Sequence, residues 1–192
     1  SFQLQGIKQS PHVAVMLDLF PDHMEVHASY QEYVNAKKNI HRHQKSSDKA
    51  FFVKDLDLKQ FKAFSPDELK IPGTHNFKNA VMAYTVTKNL KCPEKKIIEA
   101  IIKFKGNEHR LEFVKKIKGV SFYNDSASTN PQTTIAAVKA FSESKILIAG
   151  GYDKNLSYKP WAKVFPKANV KTLILIGNNK QKIKKALVNK KV

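Results

Sequence analysis

Short apolar runs alternate with stretches of helical period along the chain. Residues 12–19 (HVAVMLDL) follow Pro11 and predict a short buried strand. Residues 29–40 predict a helix, with Ser29 as its N-cap and Glu32, three residues on, completing a capping box. Tyr30, Tyr33, Val34 and Lys37 fall on one face of it, so Lys37 lies on the stripe that otherwise turns inward. A second short strand is predicted over 50–53 and irregular chain over 55–65. A long helix follows over 76–90, and 91–93 breaks it. Pro93 suits the first turn of the next helix, 94–105, whose apolar side is Ile97, Ile98, Ile101, Ile102 and Phe104. So short a link predicts that these two helices run antiparallel.

Beyond a linker-like stretch at 105–110 the pattern changes. Residues 111–114 and 120–123 predict a hairpin or two strands around Lys118-Gly119. A polar loop covers 124–130 and a helix 131–141. The run KILIA at 145–149 predicts a buried strand ending at Gly150-Gly151. A helix over 158–165, a strand over 172–176 and a lysine-rich helix over 180–191 complete the chain. Strand and helix in alternation predict an α/β fold with a mostly parallel, doubly wound sheet in this half. The polar loops 124–130 and 150–154 lie at the carboxyl ends of strands, where such sheets bind ligands, and are expected to line one crevice. The expected domains are 1–108 and 109–192.

The chain's 192 residues suffice for one ordinary domain or two small ones. A hydrophobic fraction of 42% excludes a disordered chain. No apolar run approaches the roughly 20 residues of a membrane helix, and the first residues lack the apolar core of a signal peptide. The net charge of +18 favours anionic ligands. Its lysines are scattered, however, and no patch combines aromatic and arginine side chains, so neither nucleic acid nor membrane is expected as a partner. Cys92 is the only cysteine, which excludes an intramolecular disulfide and a cysteine-cluster zinc site and points to a reducing, cytoplasmic setting.

Candidate chemistry gathers in a few places. Gly73-Thr74-His75-Asn76-Phe77-Lys78-Asn79-Ala80 opens the long helix after Ile71-Pro72. Helix starts leave N–H groups unpaired. Asn76 and Asn79 share a helical face, so two carboxamides could each offer a donor and an acceptor to a planar ligand such as a purine. The alternative is an asparagine cap with a solvated neighbour. Asp22-His23, followed by Glu25 and His27, suits a hard divalent cation and its waters, or is a polar loop with a capping aspartate. Lys37 needs a partner or a modification if its ammonium is buried; otherwise it snorkels to water. There is no Gly-x-x-x-x-Gly-Lys-Ser/Thr, Gly-x-Ser-x-Gly or His-Glu-x-x-His.

The motifs are more specific in series than singly. Ser-Phe-Gln-Leu, Pro-Asp-His-Met-Glu, Tyr-Val-Asn-Ala-Lys, Gly-Thr-His-Asn-Phe-Lys-Asn-Ala, His-Arg-Leu-Glu, Tyr-Asn-Asp-Ser-Ala-Ser-Thr-Asn-Pro and Gly-Gly-Tyr-Asp-Lys occur in that order. This series resembles the Mur ligase family of ATP-dependent peptidoglycan-precursor ligases, and within it the members that join D-glutamate to UDP-N-acetylmuramoyl-L-alanine. The resemblance implies the later part of a central ATPase domain up to Glu108, then most of a Rossmann-like, amino-acid-binding domain. The family's UDP-binding domain and P-loop have no counterpart here. The chain is therefore expected to be a fragment, inactive alone because γ-phosphate handling needs that loop.

The family's chemistry is transfer of the ATP γ-phosphate to a carboxylate, then attack of an amine on the acyl-phosphate. The resemblance implies a place for each candidate. His23 and Lys37 would be catalytic, His23 in a magnesium site and Lys37 as a carbamate that ligates Mg²⁺. Asn76 and Asn79 would contact adenine, while Arg110 and Asp125 would hold the ATP phosphates and ribose. Thr129 and Lys154 would receive the D-glutamate carboxylates. Ala127 stands where well-known members carry a lysine in this loop, which leaves Lys154 with more of that task. The expected cofactors are ATP and Mg²⁺, and the expected state is a monomer. The alternatives are a non-catalytic nucleotide- or anion-binding module, or another Mur or folylpolyglutamate-type ligase.

Overall fold

The computed structural model describes residues 2–22 and 26–188. Among them the chain forms two compact units: Ser1–Leu69 with Asn76–Lys103, and Lys70–His75 with Phe104–Val192. The fold is mixed α/β, with parallel strand pairs in both units.

Unit 1 begins with the short helix α1 (Phe2–Gln5), followed by β1 (Val13–Met16), α2 (Tyr30–Arg42) and β2 (Lys49–Phe52). β1 and β2 pair in parallel, from Val13 opposite Lys49 to Met16 opposite Phe52. The strand is shorter than its apolar run because Leu17 and Phe20 are exposed beyond it. The predicted cap on α2 is present: Glu32 N–H donates to Ser29 Oγ at 3.1 Å. The reciprocal arm differs, since the Glu32 carboxylate accepts from Ala28 N–H, one residue before the cap. The inward stripe of α2 is also shifted. Tyr33, Ala36 and Asn39 are buried, whereas Tyr30 is exposed. Asn39 Nδ2 donates to Leu4 O at 2.9 Å, tying α1 to α2.

The core of unit 1 is aromatic. Phe64, Phe77, Ala80, Val81, Tyr84 and Ile97 form it, with Phe61 set edge-on to both Phe64 and Tyr84. It joins α3 (Thr74–Asn89) to α4 (Glu94–Lys103). Burial of Phe64 shows that the stretch expected to be irregular still supplies a core residue. Pro93 precedes α4 rather than entering its first turn: its carbonyl accepts from Lys96 and Ile97 N–H, which makes it the cap. On α4, Ile97 is buried and Phe104, beyond the helix end, is exposed.

Unit 2 opens with the hairpin β3 (Glu112–Ile117) and β4 (Val120–Asn124). Ile117 pairs with Val120 across a two-residue turn, Lys118 (φ 47°) and Gly119 (φ 84°), whose left-handed backbone matches strand twist. The α5 helix (Pro131–Lys139), β5 (Lys145–Gly151), α6 (Lys159–Val164), β6 (Val170–Gly177) and α7 (Lys180–Val188) follow. β5 and β6 pair in parallel. Among the described residues β5 and β6 have no third parallel neighbour, and β4 pairs with β3 alone.

Trp161 and Phe165 of the α6 region, Val138 of α5 and Ile183 of α7 pack on one face of β5–β6, against Leu147, Ala149, Leu173 and Leu175. Ile146, Ile148, Ile174 and Ile176 on the other face are exposed. The helices of the described residues therefore cover one face of this pair, not the two expected of a doubly wound sheet. Trp161 Nε1 donates to Pro131 O at 2.9 Å, so the largest core side chain leaves no polar atom unpaired.

Candidate functional site

In unit 1 the carboxyl ends of β1 and β2 open onto a groove of about 500 Å³. Charged groups line it: Asp18 beyond β1, Lys54, Asp55, Asp57 and Lys59 beyond β2, and Lys78 of α3. Beyond β1 and β2 charged residues follow within two positions, Asp18 and Lys54, and after β2 the chain turns through a 3₁₀ helix at Val53–Asp55. Lys78 Nζ lies 3.7 Å from an Asp18 carboxylate oxygen. This volume is within the range of small-ligand sites. Three lysines and three aspartates line the groove, so it offers both cationic and anionic groups to a ligand.

The sequence-predicted residues of this unit stand in different places. Asn79 is exposed and Asn76 half-buried on the first turns of α3, but neither lines the groove; their neighbour Lys78 does. Lys37 is half-buried on α2, with its ammonium 5.5 Å from the ring centroid of Tyr33, one turn back. That cation–π contact gives the lysine a partner on its inward stripe. As an ammonium Lys37 has no lone pair for a metal; only its carbamate could supply oxygen. Tyr33 has its phenol pushed up by burial, and further by the charge of Asp22. His23 and Glu25 lie outside the described residues. Among the described residues no group of three or more His, Cys, Asp or Glu side chains is placed to hold a metal ion.

In unit 2, Asp125 closes the loop after β4. Its carboxylate accepts from Leu111 N–H at 3.0 Å and from Ser128 Oγ at 2.5 Å. Arg110 is exposed in the turn just before Leu111, so the Asp125 contact fixes the backbone beside it. His75 belongs to this unit. Burial pulls its imidazole below the ordinary value, and the Asp125 charge partly opposes that. Gly73 is required beside it: its φ is +97°, and a Cβ there would lie 2.8 Å from the His75 ring and from Ala140.

Thr129 is exposed immediately before Asn130, the N-cap of α5. Asn130 Oδ1 accepts from Gln132 and Thr133 N–H, so the cap already engages those helix donors. Lys154 is half-buried in the loop after β5. That loop leaves the strand through Gly150 and Gly151, at φ of +135° and +144°. A Cβ on Gly150 would sit 1.9 Å from Ile176 O, so the two strands approach in a way only glycine permits.

Two family models match these two regions. The Mur ligase middle domain covers residues 2–66, and the Mur ligase, glutamate ligase domain covers 109–192. The chain belongs to the Mur ligase family. It is 35% identical over 229 residues to a UDP-N-acetylmuramoylalanine--D-glutamate ligase of Ruminiclostridium cellulolyticum, covering 98% of this chain and 48% of that protein. Ligases of the same name from Clostridium acetobutylicum (36% over 222 residues; 96% of this chain, 47% of the relative) and Caldanaerobacter subterraneus subsp. tengcongensis (36% over 221; 96% and 49%) are similar. The chain spans about half the length of the curated relatives it matches.

Within this Mur ligase chain, sequence reasoning missed the charged groove. Lys54, Asp55, Asp57 and Lys59 read as solvated loop, and only the pairing of β1 with β2 makes them one wall. It also missed Asn179, hidden at the start of a lysine-rich helix. Asn179 is 5% exposed, accepts from Gly151 N–H at 2.9 Å and donates to Tyr158 Oη at 2.8 Å. A non-lysine at the head of a basic run was the one available signal.

Proposed function

We propose that this chain is the nucleotide-side and amino-acid-side portion of a Mur ligase that joins D-glutamate to UDP-N-acetylmuramoyl-L-alanine through an acyl-phosphate, in cytoplasmic peptidoglycan-precursor synthesis. Residues 1–108 serve the nucleotide, and 109–192 the amino acid, apart from Arg110 and Asp125, which serve the nucleotide. The observation that supports this best is the charged groove at the carboxyl ends of β1 and β2, where parallel strand pairs place ligands. The ligase name carried by relatives aligned over nearly the whole chain supports the choice of substrates.

In this reading Lys54, Lys59 and Lys78 attract and orient the nucleotide phosphates electrostatically. Asn76 and Asn79, at the head of α3 beside Lys78, offer carboxamides to adenine. Asp125 accepts from ribose hydroxyls on oxygens held in place by Leu111 N–H and Ser128, and Arg110 attracts phosphate. Thr129 and Lys154 hold the amino-acid carboxylates by hydrogen bond and charge. Magnesium, when bound, would screen the approach of carboxylate to phosphate. His23 and a carbamate on Lys37 are the residues offered to it. The Lys37 assignment needs a change from the plain ammonium, so carbamylation is a separate question from ATP binding.

Isothermal titration of ATP–Mg²⁺ into the chain tests the nucleotide role. Binding to the wild-type chain should weaken about tenfold in Asn79→Ala, the loss of roughly one hydrogen bond. Equal affinity in wild type and Asn79→Ala would remove the adenine assignment. Substrate profiling then separates this reading from a non-catalytic anion module: D-glutamate should bind and L-lysine should not. Ala127 favours no other amino acid by itself; a chain that prefers L-glutamate would point to a folylpolyglutamate-type ligase.

A further inference from the structure

The loop that leaves β5 carries Lys154, yet little in its own sequence orders it. Gly150 and Gly151 end β5, opposite Ile176 and Gly177 of β6, and beyond them the loop has no strand partner among the described residues. Tyr152 is 81% exposed, so it does not anchor the turn. Order has to come from elsewhere, and the head of α7 is where the bonds lead.

Asn179 and its neighbour clasp Gly151 on both sides of its peptide groups. Gly151 N–H donates to Asn179 Oδ1 at 2.9 Å, while Gly151 O accepts from Asn178 N–H at 2.9 Å and Asn179 N–H at 3.2 Å. The other end of the Asn179 carboxamide donates to Tyr158 Oη at 2.8 Å, in the hydrophobic core. One turn further along α7, Lys182 Nζ reaches back to the loop. It lies 3.0 and 3.1 Å from the two Asp153 carboxylate oxygens and 3.1 Å from Asn155 Oδ1. Asn155, at φ 59°, also donates its N–H to Asp153 Oδ1 at 2.9 Å. Lys154 therefore sits between two residues held by one ammonium. Beyond them the buried Leu156 and Tyr158 return the chain to the core.

We infer that Asn179 and Lys182 are positioning residues: from α7 they hold residues 150–155 in the one geometry that presents Lys154 to the incoming amino acid's carboxylate. The inference rests on the reading of Lys154 given under the proposed function. Lys182 is not itself a ligand group, because its donors are committed to Asp153 and Asn155. Asn179 is too deep to meet substrate. Their contribution is to remove the freedom of the loop beyond Gly151, so that a carboxylate meets a lysine already in place.

The test uses the ¹⁵N-labelled chain with Lys182→Met, Lys182→Arg and Asn179→Ala. Backbone order in residues 151–155 and exchange of the Gly151 amide are measured without ligand, and D-glutamate affinity by titration of amide shifts. Lys182→Met should raise loop mobility and weaken D-glutamate about tenfold, with the β5–β6 amides unchanged and Lys182→Arg restoring both. Asn179→Ala should speed Gly151 exchange; if that variant does not fold, Lys182→Met alone decides. Unchanged loop order in Lys182→Met overturns the inference, as does lost order with unaltered affinity. Lost order in a chain whose wild type gives no D-glutamate response supports the clasp and contradicts the amino-acid role of Lys154 instead.

Discussion

The carboxyl end of β1–β2 opens onto a groove lined by charges of both signs, whereas that of β5–β6 is closed by glycines packed against backbone and clasped by Asn179. Both are ends of parallel pairs, and both carry candidate binding residues. The difference lies in what holds them. In the first, the walls are long charged side chains such as Lys54, Lys59 and Lys78, whose ordering at a ligand would cost side-chain entropy. In the second, order is built in before any ligand arrives. A large polyanion such as a nucleotide tolerates adaptable lysines, while a small dicarboxylate needs its few contacts preset.

The largest predicted effect breaks the preset end. Gly150→Ala should destabilise unit 2 by about 3 kcal/mol or more, since the new Cβ meets Ile176 O at 1.9 Å and the backbone is already at φ +135°. Urea unfolding read by Trp161, the sequence's only tryptophan, measures it. The counterpart in β1 is mild: Ala14→Gly, at a buried position, should cost on the order of 1 kcal/mol. Equal costs at the two sites would erase the contrast.

Comparable in size is Phe64→Ala, which removes a 4%-exposed ring from the aromatic core and should cost about 3–5 kcal/mol by far-UV circular dichroism. That position also marks the limit of what pattern alone conveys. Apolar periodicity located the longer helices, and the Lys118-Gly119 turn and the Ser29 cap were readable as local chemistry, whereas α1 and the Asn130 cap were not singled out. Phe64 was not, because its burial depends on α3 and α4 closing over a stretch with no period of its own. The groove residues were not legible for a related reason: the charges of Lys54-Asp55-Leu56-Asp57-Leu58-Lys59 have no visible role until two strands 36 residues apart come into register, as Val13 and Lys49 do. Asn76, Asn79 and Lys154 could be singled out by motif, but not the groups beside them, Lys78 and Lys182, whose partners are remote in sequence.

A smaller effect sharpens the open end. Lys78→Met should weaken ATP–Mg²⁺ binding several-fold at low salt, and raising ionic strength should shrink the difference between variant and wild type, as screening of exposed charges requires. A salt-independent difference would mean that Lys78 acts by packing.

The smallest effect is on pH. Burial holds His75 below its ordinary value of 6.5, so the folded chain resists a proton that the unfolded chain accepts. Stability should therefore fall as pH drops below 6.5 toward the folded pKa, and level off beneath it. His75→Gln should flatten that limb in urea titrations between pH 7 and 5, roughly the range in which an ordinary histidine titrates. The Asp153 carboxylate moves the opposite way: the Lys182 ammonium keeps it below the ordinary range, so the clasp on the β5 loop persists at neutral pH and is lost only as pH falls through that depressed value.

The most direct measurement is amide-shift mapping of the ¹⁵N-labelled chain with ATP–Mg²⁺ and with D-glutamate in separate titrations. The nucleotide should move amides of residues 53–59, 76–79 and the Asp125 end of 125–129, and the amino acid the Thr129 end of that loop and 150–155. Shifts scattered over surface lysines in both titrations, with those four segments silent, would contradict it.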